Sequence, residues 1–204
     1  GRHSLGHRFL SDGPFSVTDF ADYRAQLAQA HVVLDATDRR QIILDRARSL
    51  AGDHDLELIE DGDLLDENAG LTEWPVPYLG RFDPAFLDVP AEVLITSMKV
   101  HQKFFSLRDP KSGALAPFFI CVANTQAVDG GATIIAGNER VLSARLSDAR
   151  FFWQQDLKIP LEQRIAALDA IIFHEKLGSL AQRVDRIEAL AVTLSDYVQN
   201  DKTK

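Results

Sequence analysis

The residues best equipped to touch a charged ligand stand close together at Lys99, His101, Gln102 and Lys103. Ammonium, imidazole and amide groups contact phosphate and ribose oxygens without reading base sequence. If this segment is a regular strand, alternation puts Lys99, His101 and Lys103 on one face and Gln102 and Phe104 on the other, a compact polar patch. The competing reading is a solvent-facing strand that holds nothing. Arg140 is a second candidate for an RNA phosphate. Arg145 and Asp148 have the spacing of an ion pair within one helical turn. They lie between Val141 and Phe152 on an otherwise apolar stripe, so a partly buried structural pair is expected there, whose loss would strand a charge. Asn138 and Glu139 are expected to start that helix.

Other chemistries find little support. The single cysteine, Cys121, excludes an internal disulfide framework and any multi-cysteine zinc site. Its neighbours Phe119, Ile120 and Val122 predict a buried strand position rather than a reactive thiol. His174, Glu175 and Asp185 lack the paired His and Asp spacing of a metal site, and His54-Asp55 falls in a predicted loop, so no metal is expected. There is no Gly-x-Ser-x-Gly elbow, and Gly130-Gly131 has neither the lysine of a phosphate loop nor the third glycine of a dinucleotide fingerprint. No catalytic residue is assigned.

The formal net charge of -8 over 204 residues argues against a domain that holds nucleic acid by bulk electrostatics. Any RNA contact must be local, and no DNA partner is expected. Residues 92–111 carry four Lys or Arg and two acids, a small local excess of +2. With 46% hydrophobic and 25% charged residues the composition is that of an ordinary globular chain. No run approaches the roughly 20 apolar residues that span a bilayer, and the start lacks signal-peptide sections. No membrane partner and a cytoplasmic location are expected. The chain begins Gly1-Arg2-His3 and stops in a polar tail at 200–204, as an internal piece of a longer polypeptide would.

The elements that must position these residues follow from periodicity. Phe15 and Val17 predict a short strand, and Thr18-Asp19 caps a helix carrying Phe20, Tyr23 and Leu27. Val32-Val33-Leu34 reads as a strand. A helix from about Asp38 carries Ile43, Ala47 and Leu50 and stops near Gly52, and another covers 64–70. Residues 73–125 read as a hairpin-rich antiparallel sheet, with strands at Trp74 to Tyr78, at Val93-Leu94-Ile95 and at 118–122, and a turn at 110–113. A glycine-bearing loop at 129–131 follows. From Asn138 onward only helices are predicted, the first burying most of its face with Leu142, Leu146, Ala149 and Trp153, the next starting at Pro160 and the last carrying Val184, Ile187, Ala191, Leu194 and Val198. The fold class is therefore α+β: an antiparallel sheet with flanking helices over 1–137, followed by an all-helical part over 138–204.

Many short strings, in order, resemble one family. They include Gly6-His7-Arg8-Phe9-Leu10, Leu71-Thr72-Glu73-Trp74-Pro75, Val89-Pro90-Ala91-Glu92-Val93-Leu94 and Met98-Lys99-Val100-His101-Gln102-Lys103-Phe104-Phe105. The most specific runs from Gly137-Asn138-Glu139-Arg140-Val141-Leu142 through Ala144-Arg145-Leu146-Ser147-Asp148-Ala149 to Phe151-Phe152, and Glu175-Lys176-Leu177-Gly178-Ser179-Leu180 follows. Together they resemble the beta subunit of the bacterial two-subunit glycyl-tRNA synthetase over essentially the whole chain. Asn68-Ala69-Gly70 and Phe105-Ser106 depart from the family's usual residues. The resemblance implies an interior slice of a longer beta subunit in a class II heterotetrameric ligase. Its partners would be tRNA(Gly), the alpha subunit and the remaining beta-subunit domains. ATP and Mg would be used on the alpha subunit, leaving no cofactor and no catalysis in this piece. It further implies a sheet module like the editing module of the phenylalanyl-tRNA synthetase beta chain, and final helices leading into a truncated HD-like domain. The expected role is tRNA positioning and subunit contact. Hydrolytic proofreading of mischarged tRNA and a purely structural module are the alternatives.

Overall fold

The computed structural model describes residues 1–199. The polar tail at 200–204 lies outside them. Two short strands, β1 (His3–Leu5) and β2 (Pro14–Ser16), pair antiparallel at the start of the chain. Three helices then begin on aspartate caps. Asp19 accepts the main-chain N–H of Asp22 at the head of α1 (Phe20–Gln29), Asp35 that of Thr37 for α2 (Ala36–Gly52), and Asp61 that of Leu64 for α3 (Gly62–Leu71). Each cap satisfies a donor that the first helical turn leaves without a partner.

The main sheet has four antiparallel strands in the order β3-β5-β6-β4, with β3 at Glu57–Leu58, β4 at Val76–Arg81, β5 at Phe105–Arg108 and β6 at Leu115–Ala123. Ile43, Ala47 and Ala51 recur every four residues on α2, so one helical stripe meets the sheet. With Leu64, Leu65 and Ala69 of α3 they cover Leu58, Phe105, Leu107 and Ile120. Phe119, neighbour of Ile120 and so on the other face of β6, is fully buried and stacks on Phe104 at 4.6 Å between centroids. Gly80 lies across from Phe119, where a Cβ would stand 2.4 Å from the ring. The antiparallel sheet with flanking helices is therefore present as expected.

Several local expectations fail for identifiable reasons. Val93-Leu94-Ile95 is not a strand but part of α4 (Ala91–Ser97), which starts after Pro90. Leu94 and Met98, four apart, are both fully buried, a helical spacing that the β-branched neighbours mask. Val32-Val33-Leu34 forms no strand, and Val33 makes one main-chain bond to the Glu73 carbonyl at 2.8 Å. Asn138 and Glu139 do not begin a helix, because α5 runs over Ala132–Asp156. Asp129 accepts the N–H groups of Gly131 and Thr133 just before it.

By contacts the chain divides into two units, Gly1–Phe151 and Phe152–Lys204. In the second unit a 3-10 turn over Leu161–Ala170 leads to a small hairpin, β7 (Ile172–His174) with β8 (Gly178–Ser179), and then to α6 (Leu180–Gln199). The second part is thus not all-helical. Gly178, at φ +86, opens the returning strand in a conformation that L side chains rarely adopt, and Ile172 pairs with Ser179 in the hairpin.

Candidate functional site

The segment that carries Lys99 to Lys103 is helical, not extended. α4 widens into a π turn over Met98–Gln102 and ends at Lys103 in the left-handed region, φ 59. A strand's alternation therefore does not apply, and Lys99, His101 and Lys103 do not form one face. α3 holds the turn in place. The Lys99 ammonium bonds the Asp61 carboxylate, and Lys103 pairs with Glu67 at 2.8 Å. Asn68, a buried residue, donates from Nδ2 to the carbonyls of Leu64 and Lys103. The Asp61–Lys99 bond holds the Asp61 carboxyl below its ordinary value and raises the Lys99 ammonium above its own. Both lysines already face acids, so this patch is close to neutral. Gln102 is half-buried, and His101 is exposed without a polar partner among the described residues.

Arg140 lies on the exposed side of α5, and no acid or acceptor engages it among the described residues. Its neighbour Glu139 is occupied, accepting the main-chain N–H of Arg81 at 3.0 Å. The expected Arg145–Asp148 pair is absent: both side chains are exposed and neither meets an opposite charge among the described residues. Leu142 and Leu146 are the fully buried residues of α5, which turns Arg145 and Asp148 toward water, where holding two long side chains together gains little. Arg150 makes the ion pair instead, with Asp88.

His7 is the residue whose importance sequence reasoning underrated. It is buried, 1% exposed. The N–H of Phe9 donates to its Nδ1 at 3.2 Å, so Nε2 carries the proton and donates to the Asn124 carbonyl at 2.6 Å. The Asn124 side chain in turn accepts the N–H groups of Glu73 and Trp74 at 2.8 and 2.9 Å. The His7 N–H bonds the Ala30 carbonyl at 2.8 Å. That close approach depends on Gly6, where a Cβ would stand 2.3 Å from the Ala30 Cβ. The Gly-His pair near the chain start is thus a tether joining three segments. The glycine, which only a close backbone approach requires, was the available signal.

Cys121 sits where expected, buried in β6, and desolvation lifts its thiol to about 11. Among the described residues no three His, Cys, Asp or Glu side chains converge as metal ligands, and no helix is long and apolar enough to cross a membrane.

The family model described as glycyl-tRNA synthetase beta subunit matches residues 1–204. The glycine-tRNA ligase beta subunit of Phenylobacterium zucineum is 57% identical over 202 residues, which cover 98% of this chain and 30% of that protein. That of Rhodospirillum centenum is 56% identical over 195 residues, 96% of this chain and 27% of the relative, and that of a Ruegeria species 49% over 206 residues, 98% and 30%. The chain therefore spans less than a third of these relatives' length. It belongs to the glycyl-tRNA synthetase beta subunit family.

Proposed function

We propose that this chain supports the attachment of glycine to tRNA(Gly) by positioning the tRNA and contacting other parts of the ligase, with adenylate formation on a separate alpha subunit in the cytoplasm. Holding two reactants in line turns an encounter into a near-unimolecular step, so positioning alone accelerates the reaction. ATP and Mg belong to the other subunit in this reading. The likeness to a phenylalanyl editing module is implied by the family resemblance, and a direct structural comparison with that module tests it.

The observation that carries the proposal is the contrast between paired and unpaired side chains within the candidate set. Lys99 and Lys103 meet acids, whereas Arg140 and His101 face solvent without partners among the described residues. In an acidic chain, a phosphate gains more at an unpaired basic side chain than at one already matched by an acid. Arg140→Glu in the complete enzyme should weaken tRNA(Gly) binding and flatten its salt dependence by about one unit of slope, with glycine-dependent ATP–pyrophosphate exchange nearly unchanged. Lys103→Glu should also weaken binding, but it sets a carboxylate against Glu67 and perturbs the turn. Equal loss of exchange and tRNA binding in Arg140→Glu would contradict the role. Release of amino acid from mischarged tRNA by this chain would favour proofreading instead.

A further inference from the structure

A groove of about 690 Å³ opens along the free edge of β4, within the size range of sites for drug-sized ligands, about 300–1,000 Å³. One wall is the outer stripe of α2 and the residues just past it, with Arg46 and His54 both exposed. The floor begins at Trp74, whose ring meets His31 edge-on at 5.0 Å, and continues along β4 through Tyr78. The opposite wall is the loop carrying Gln126. Its path depends on Gly131, at φ +93, where a Cβ would stand 2.2 Å from Tyr78 Cε1. The Tyr78 hydroxyl fastens the loop by accepting the Ala127 N–H at 3.2 Å.

Two features select the ligand. The first is charge. The chain carries 30 acids against 22 Lys and Arg, yet no Asp or Glu lines this groove, and Arg46 has no partner among the described residues. An anionic group is therefore welcome there, beside aromatic and proline surfaces that suit a flat apolar body. The second is the strand edge. Phe82 N–H bonds the Pro117 carbonyl at 3.0 Å, so by alternation the main-chain groups of residues 77, 79 and 81 point away from β6. Pro77 has no N–H, and Glu139 takes that of Arg81. Only Leu79 keeps an open donor. An added β-strand would need a row of them, whereas one isolated N–H and the Gln126 amide fit the polar edge of a single base.

We infer that this groove takes one unpaired nucleotide of a single-stranded RNA segment, its base beside Trp74 and its phosphate on Arg46. The inference rests on the reading of this chain as a tRNA-handling module and names a site that Arg140 and His101 do not form. Sequence-tolerant stacking on aromatic side chains is a common way of holding single strands.

The chain has two tryptophans, so a Trp153→Phe background leaves Trp74 as the reporter. Titrating this chain with a short single-stranded RNA should quench Trp74 fluorescence saturably, and a duplex of the same length should not. Arg46→Glu, at an exposed position that should not disturb folding, should weaken the quench roughly tenfold by removing a phosphate contact, and Gln126→Ala should weaken it less. Arg140→Glu should leave it unchanged. Four results would overturn the assignment: no quench by the oligonucleotide, an equal quench in Arg46→Glu, a stronger response to an acidic extended peptide, or saturation by adenosine monophosphate that the oligonucleotide does not exceed. If tRNA still binds the chain in a salt-dependent way when the oligonucleotide fails, the groove assignment falls and the positioning role stands. If tRNA also fails to bind, both fall.

Discussion

Residues 1–151 and residues 152–199 carry similar apolar patterns and reach opposite outcomes. In the first, α5 turns Leu142 and Leu146 inward until both are fully buried, and α2 does the same with Ile43 and Ala47. In the second, α6 has an equally plain apolar face, yet Val184, Ile187, Leu194 and Val198 are all exposed, and none of its described residues is buried. Amphipathic spacing announces that a face wants cover and says nothing of what supplies it. A segment this short that buries nothing has little hydrophobic stabilisation to set against the entropy of ordering it.

The sharpest way to break the comparison is a pair of truncations. Phe119→Ala removes a fully buried ring stacked on Phe104 and should destabilise the fold by about 3–5 kcal/mol. Leu190→Ala, in α6 and 58% exposed, should stay within about 0.5 kcal/mol. Denaturant titration of both variants measures the gap. His7→Ala comes next. It leaves the Asn124 carbonyl and the Phe9 N–H without their partner, and should cost about 1–3 kcal/mol by the same assay. Catalysis plays no part in that loss.

Asp61→Ala removes a helix cap and the partner of Lys99 together, for about 0.5–2 kcal/mol from the cap. The penalty should depend on pH. The folded-state pKa of Asp61 is lowered, so its contribution is fully present above the ordinary carboxylate value, about 3.9, and is lost as pH falls through the lowered one. Stability measured at neutral and at acid pH should show the difference between wild type and variant shrinking in acid. Smallest of all is Arg145→Ala, expected within about 0.5 kcal/mol because no pair exists to break.

What could be read in advance tracks what kind of interaction decided each element. The Asp19 cap, the α2 stripe and the dense apolar run of β6 are local signals, and they placed α1, α2 and β6 within a few residues. The segment from Val93 to Lys103 was misread because Val93, Ile95 and Val100 favour strands locally. Burial of Leu94 and Met98, together with the grip of Asp61, Glu67 and Asn68 on the following turn, makes it helical. Those partners lie 30 or more positions earlier in the chain, beyond any spacing rule. The sequence offered Lys99, His101, Lys103 and Arg140 as candidates but could not show which of them were already matched by acids. Arg140 and His101 emerged as free only once Lys99 and Lys103 were seen to be paired.

Native-state hydrogen exchange on the 204-residue chain tests the contrast between the two regions most directly. Amides of β5, β6 and α2 should exchange slowest, at rates set by global unfolding, while those of α6 should exchange close to the rate of an unprotected helix. Protection in α6 equal to that in β6 would contradict the account, because it would mean that the second unit owns a core that its exposed side chains do not show.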